Sequence, residues 1–276
     1  MISKIINTIG TYKGNSVELL FSVDENDRIT DFNIVDDNFK LLGSCHEGRV
    51  LKVLPNGDLI LKLDNGLNAF VSQKITDGVI KQNDLLKVRL TREPKDSKPF
   101  SAEIVDEVTQ ADFDYISVFK EITGAKEAVT VTDQDNPDLW LIYSLTGFLD
   151  RLCKPVKYLK DGSNILIEHT KALTVIDVNS GSNDCRAKNY FLEINKQAAF
   201  ETSRQLRLNN ISGMILIDFI NMDSKEDYRE LEEYFKLCLK NDYCKTKVLG
   251  FTKLGLMEIT RERKFSPLYT KLEQFC

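Results

Sequence analysis

Residues 172–181 read ALTVIDVNSG and residues 213–220 read GMILIDFI, two apolar runs that each carry an aspartate near the carboxyl end. Side chains alternate across a strand, so Asp177 and Asn179 share one face while Ile176 and Val178 take the other. The second run is continuous in the manner of a strand buried within an α/β sheet, with Asp218 near its end. A lone carboxylate buried there is expected to be neutralised, hydrogen-bonded or bound to a cation. Open α/β sheets gather ligands at the carboxyl ends of their strands, so two such aspartates point to one site. The alternative is that each caps the turn or helix that follows it.

Around these runs, strands alternate with helices. VKYL at 156–159 and SNILIEH at 163–169 precede the first run, with HTK as the turn. A helix over about 190–208 separates the two runs, and the helix SKEDYRELEEYFKLCLKN (224–241) and strand TKVLGF (246–251) follow. Further upstream the character changes. VELLFSV (17–23) and RITDFNIV (28–35) form a hairpin about DEND. EGRVLKVLP, GDLILKLD, NAFVS, LLKVRLTRE and SAEIV then give five short strands between residues 47 and 105, which suggests a small barrel of the OB type. Residues 107–150, with two Lys against nine Asp/Glu, read as a weakly specified connector that ends in a helix, LWLIYSLTGFLDRL (139–152).

Six cysteines without CxxC spacing, and a first segment MISKIINTIGTYK without a long apolar core, favour reduced thiols in a cytoplasmic protein. No uninterrupted apolar stretch reaches the ~18 residues of a membrane span. The net charge is −5, unevenly spread: residues 1–150 hold 16 Lys/Arg against 25 Asp/Glu, and residues 151–276 hold 21 against 17. The second half is the better candidate for meeting a polyanion, although charge alone also fits an ordinary solvated surface.

Two carboxylates with room for several waters suit Mg²⁺ beside a phosphate, where the metal lowers the pKa of an attacking water and stabilises developing charge. Asn179 is placed to orient a water or one carboxylate. IDVNSG (176–181), QLRLNNISGMILIDFINMD (205–223) and KTKVLGFTKLGLMEITRER (245–263), in this order and spacing, resemble the catalytic half of the bacterial ribonuclease E/G family. The hairpin, the barrel and the 139–152 segment also fall where that family has its counterparts. The resemblance implies a mixed α+β and α/β fold of several subdomains. A split RNase H-like scaffold (1–42, and 107–152 with the acidic connector) would carry an inserted OB-fold barrel (43–106), followed by a DNase I-like catalytic subdomain (153–276). It implies that Asp177 and Asp218 bind Mg²⁺ with Asn179 in support, and that single-stranded, A/U-rich RNA is cut by water to 5′-phosphate products in RNA processing or decay.

Several residues then become candidate RNA contacts. Arg204 and Arg207 lie three apart on one helix, and Arg261 and Arg263 are spaced to share a strand face; Arg suits bidentate contact with phosphate. Salt bridges to Glu201, Glu258 or Glu262 are the alternative. Lys245 occupies a position basic in the family. In the barrel Phe70 is expected to stack on a base, or else to be a core residue. Lys62 stands where the family has a second aromatic, and Arg92 and Lys98 lie near or within the PKDSKP turn (94–99), where Pro99 replaces a glycine. The family's 5′-end-sensing subdomain is missing between barrel and scaffold, so no preference for 5′-monophosphorylated RNA is expected. Its paired-cysteine zinc motif is reduced to Cys276, and two thiolates from two chains fall short of four ligands, which argues against zinc-linked dimerisation and leaves a homodimer open. The competing readings are an RNA-binding relative with little cleavage activity and, more distantly, a magnesium-dependent DNA nuclease.

Overall fold

The computed structural model describes residues 2–72, 80–94, 98–106, 114–181 and 189–273. In chain order the elements begin with β1 (Ile2–Tyr12), β2 (Asn15–Asp24), β3 (Ile29–Ile34), α1 (Asp37–Lys40), β4 (Cys45–Val53), β5 (Leu59–Leu63), β6 (Asn68–Val71), β7 (Leu85–Arg92) and β8 (Phe100–Ile104). They continue with α2 (Tyr115–Thr123), β9 (Val129–Thr132), α3 (Leu139–Ile142), α4 (Leu145–Cys153), β10 (Val156–Tyr158), β11 (Asn164–His169) and β12 (Leu173–Asn179). The last are α5 (Tyr190–Leu208), β13 (Gly213–Asp218), α6 (Lys225–Cys238), β14 (Thr246–Phe251), β15 (Met257–Arg261) and α7 (Leu268–Leu272). These form two compact units, one of residues 1–33, 129–263 and 267–276, the other of residues 34–128 and 264–266.

The first unit holds a six-stranded sheet, β10-β11-β12-β13-β15-β14, and a four-stranded one, β3-β2-β1-β9. In the larger sheet β12 and β13 run parallel, while β10/β11, β11/β12, β13/β15 and β14/β15 are antiparallel. Parallel neighbours need a crossover, and α5 supplies it. One sheet face, with Ile176, Val178, Ile215, Ile217 and Ile259, is packed with α5 and α6 into a single core that includes Leu231 and Phe235. α5 turns a stripe of Leu192, Asn195, Ala199, Thr202 and Leu206 to the interior at helical spacing. α6 starts where the Ser224 hydroxyl accepts the Asp227 N–H at 3.1 Å, with Glu226 and Asp227 in the first turn favouring the helix dipole.

The opposite sheet face is only partly covered. GMILIDFI is therefore not buried on both sides as its apolar run suggests: Ile215 and Ile217 are buried, whereas Met214 is 54% exposed and Asp218 is exposed. A second apolar face, rather than a second covering layer, explains the uninterrupted run.

In the smaller sheet the hairpin read from residues 17–35 gains β1, which pairs antiparallel with β2 and parallel with β9. The helix expected over 139–152 is broken into α3 and α4 at Ser144, whose φ of 48° is left-handed. The break lets Tyr143 set its ring edge-on to Phe21 at 5.2 Å.

The second unit is a closed barrel in the order β4-β5-β6-β8-β7, consistent with an inserted OB-like barrel. Val50, Leu59, Leu61, Leu63, Val71 and Leu90 fill it. The acidic connector is better specified than its composition suggests. Asp114 accepts the N–H groups of Ile116 and Ser117 at 3.0 and 3.2 Å to start α2, and Gly124 ends it at a left-handed φ of 74°. Phe119 of α2 is buried against Phe39 and Phe265, at centroid distances of 6.4 and 5.7 Å.

No described helix is long and apolar enough to cross a membrane. Cys45, Cys153, Cys238 and Cys244 carry free thiols. The zinc question attached to Cys276 falls on a residue outside the described ones.

Candidate active site

The register of the parallel pair places Asp177 directly opposite Asp218. Both project from the open face, since their neighbours Ile176, Val178 and Ile217 are core residues. Asp177 is half-buried, and Asp218 and Asn179 are exposed. The cost of burying a charge, which first drew attention to these residues, thus does not apply; what matters is two carboxylates side by side at an accessible surface. The Asn179 amide donates to Asp177 Oδ2 at 2.9 Å and fixes that oxygen. Among the described residues neither carboxylate caps a backbone N–H: α6 is capped by Ser224, and no Asp177 or Asp218 oxygen accepts from the main chain. No described cation pairs with either. Two adjacent carboxylates at an open surface, with no counter-ion among the described residues, form a donor set that fits a hard divalent cation completed by water. Among the described residues no group of three or more His, Cys, Asp or Glu side chains converges as a metal site.

A residue the sequence reading passed over holds the site's second strand. Asn195, fully buried on α5, donates from Nδ2 to the Ile220 carbonyl at 2.8 Å and accepts the Ile220 N–H at 3.0 Å. Its amide thereby acts as a strand partner for the chain two residues beyond Asp218. The available signal was a lone asparagine within the apolar stripe of α5. After β12, Gly181 has a φ of 68° and lies so near the Gly162 carbonyl that an added Cβ would stand 2.8 Å from that oxygen.

The remaining candidates in this unit are not gathered at the pair, and three are committed elsewhere. Arg261 is 3% exposed, grips Asp242 through two bonds of 2.7 and 2.8 Å and donates to the Ile211 carbonyl at 2.9 Å. It is a structural residue and not a phosphate clamp; its guanidinium pKa is raised, because the bonds to Asp242 outweigh desolvation. Arg207 clasps the buried Asp31 of β3 at 2.8 and 2.9 Å, joining α5 to the smaller sheet. Arg204 is paired with Glu201 at 2.8 and 2.9 Å, the alternative weighed for it above. Arg263 lies past the end of β15, half-buried, so it does not share a strand face with Arg261. Lys245 is exposed, just before β14. Since β14 begins opposite Arg261, and Arg261 opposite Gly213, Lys245 sits at the amino end of β13. That is six residues, about 20 Å at ~3.3 Å each, back along the strand direction from Asp218, and two strands across from it.

In the barrel, Phe70 is half-buried on the outer surface, between the inward Ala69 and Val71, and so is not part of the barrel core. It pairs across with Ile60 and Ser101, while Lys62 pairs with Asn68 and with the exposed Arg49. Phe70, Lys62 and Arg49 thus share one outer face; Arg49 was missed, although alternation along EGRVLKVLP aims it outward. Arg92 ends β7 opposite Ser101, and Lys98 is exposed.

A family model described as the Ribonuclease E/G family matches residues 64–264, which include Asp177, Asn179, Asp218 and Phe70. The chain belongs to the ribonuclease E/G family. It is 46% identical over 125 residues to Ribonuclease E of Synechocystis sp., covering 45% of this chain and 18% of that protein. It is 44% identical over 110 residues to the Ribonuclease E/G-like protein of Porphyra purpurea, covering 39% and 22%. It is 30% identical over 166 residues to Ribonuclease G of Escherichia coli strain K12, covering 59% and 30%. The chain therefore aligns with less than a third of the length of each of these ribonuclease E/G proteins.

Proposed function

We propose that the chain is a magnesium-dependent endoribonuclease that hydrolyses single-stranded, A/U-rich RNA to 5′-phosphate products in RNA processing or decay. The observation that carries the reading is the in-register pair Asp177 and Asp218 at the carboxyl ends of the parallel strands, with Asn179 bonded to the first. Asp177 and Asp218 would hold Mg²⁺. When bound, the ion would supply a water of lowered pKa and stabilise charge on the phosphate. The chain's own residues provide the rest. Asn179 occupies Asp177 Oδ2 and, among the described residues, leaves Oδ1 open; Asn195 fixes the backbone beyond Asp218, and the partly covered sheet face would admit an extended strand. On this reading the four-stranded sheet belongs to an RNase H-like scaffold and the six-stranded sheet to a DNase I-like subdomain. Phe70, Lys62, Arg92 and Lys98 form the barrel's contribution to RNA binding, and the protein works in the cytoplasm.

The test is cleavage of an A/U-rich single-stranded RNA. Cutting is expected with Mg²⁺, to stop with EDTA, and to fall by at least a hundredfold for Asp177→Asn and Asp218→Asn, in line with the several kcal/mol that metal-assisted charge stabilisation contributes. Variants that cut as fast as the parent would falsify the site assignment.

A further inference from the structure

Tyr158, the last residue of β10 at the edge of the six-stranded sheet, is 78% exposed. Burial does not explain an aromatic side chain so placed, because its ring removes little surface from water. Its register ties it to the carboxylates. Tyr158 pairs with Asn164, and Asn164 with Asn179; in the next row Val156 pairs with Leu166, Leu166 with Asp177, and Asp177 with Asp218. Laterally paired residues project from the same face, so Tyr158 stands on the carboxylate face, two strand spacings or about 10 Å from Asn179.

Against the outer side of Tyr158 lies a cavity of about 350 Å³, lined also by Arg151, Lys154, Lys157, Arg204 and Glu201. Glu201 is taken by Arg204, and Lys157 donates to the Arg151 and Leu152 carbonyls at 2.7 and 3.0 Å. Arg151 and Lys154 are exposed and have no ion pair among the described residues. The ring and the carboxylate pair share one surface, and the cavity's cations lie round the β10 edge towards α5, so a single strand that rounds this edge meets an aromatic face and positive charge in turn.

We infer that the β10 edge is a second RNA subsite, in which Tyr158 stacks a base a few nucleotides from the scissile phosphate and Arg151 and Lys154 hold the adjoining backbone phosphates. This rests on the nuclease reading and extends it to substrate positioning.

The test uses the whole chain and a short fluorescent A/U-rich RNA carrying 2-aminopurine at successive positions, with binding measured in EDTA so that nothing is cut. Tyr158→Ala is expected to weaken binding about tenfold, or ~1.4 kcal/mol, within the range for one stacked base. It should also abolish fluorescence quenching at one position, and Tyr158→Phe should restore both. Arg151→Glu with Lys154→Glu should make the log–log salt dependence shallower by about 1.4, two phosphates at ~0.7 each. Asp177→Asn should bind normally while failing to cut. Tyr158→Ala binding and quenching like the parent would overturn the subsite and leave the nuclease intact; so would a change in sedimentation with unchanged RNA affinity, which would make this edge a contact between copies. An Asp177→Asn protein that still cuts would sink the nuclease reading instead, whatever Tyr158 does.

Discussion

The residues at Asp177 and Asp218 show what a one-dimensional pattern carries and where it stops. Alternation along TVIDVN puts Asp177 and Asn179 on one face, and β12 does so. Register is a tertiary property, however, and nothing local states that Asp177 meets Asp218 rather than a residue two positions away. The same limit hid Arg207 and Arg261, whose partners Asp31 and Asp242 are distant in sequence. Asn195 left a local signal that went unread, because an amide in an apolar stripe needs partners. Asn195→Ala leaves the Ile220 N–H and carbonyl unpaired in the interior. We expect a loss of about 1–3 kcal/mol in urea unfolding, and a fall in kcat larger than the rise in KM, because the substitution displaces Asp218 and touches no RNA. An unchanged kcat in a stably folded variant would remove Asn195 from the positioning role.

At the scale of elements, short apolar strands and capped helices were read well, and breaks were read poorly. The 139–152 helix divides at Ser144 because Tyr143 packs on Phe21, a tertiary contact that overrides a favourable local pattern. The α2 caps Asp114 and Gly124 were visible in the sequence, but the acidic composition around them masked the signal. The junction of α4 with β10 gives a pH-dependent device. Lys157 closes the last turn of α4 through two carbonyls, and burial pulls its ammonium pKa down to about 8, with the Arg204 charge adding to that and Glu201 and Cys153 opposing it. The unfolded chain then holds the proton more tightly, so the contribution of Lys157 is unfavourable below pH 8 and is relieved as pH rises from 8 towards 10.5. Relative to Lys157→Met, the parent's thermal midpoint should climb by a few degrees across that interval. Parallel curves for the two proteins would remove the effect.

For the whole molecule, the division into barrel and sheet units follows the change in pattern from closely spaced strands to strands alternating with helices, which is why the barrel was legible even where β1 and β9 were not assigned. The resemblance leads to the expectation that the family's sensing subdomain is missing between β8 and β9, where the described residues hold α2. One oligonucleotide bearing a 5′-phosphate and the same oligonucleotide with a 5′-hydroxyl should accordingly be cut at rates within about twofold of each other, far less than the ~1.4 kcal/mol of a tenfold preference. A tenfold or greater advantage for the phosphorylated form would show that this chain reads the 5′ end by other means.

The parallel pairing of β12 with β13 also sets when the site comes into being. Asp177 and Asp218 stand about forty residues apart in the chain, and they meet only after α5 has crossed between their strands. The far edge of β13 is covered by β15, which ends at Arg261. During translation at ~5–20 residues per second, several seconds separate the emergence of the first carboxylate from that of its last supporting strand. A ribosome-bound fragment ending before β13 would carry only one of the two carboxylates, so the chemistry proposed for this chain would be withheld from the nascent polypeptide and from the message still being read beside it.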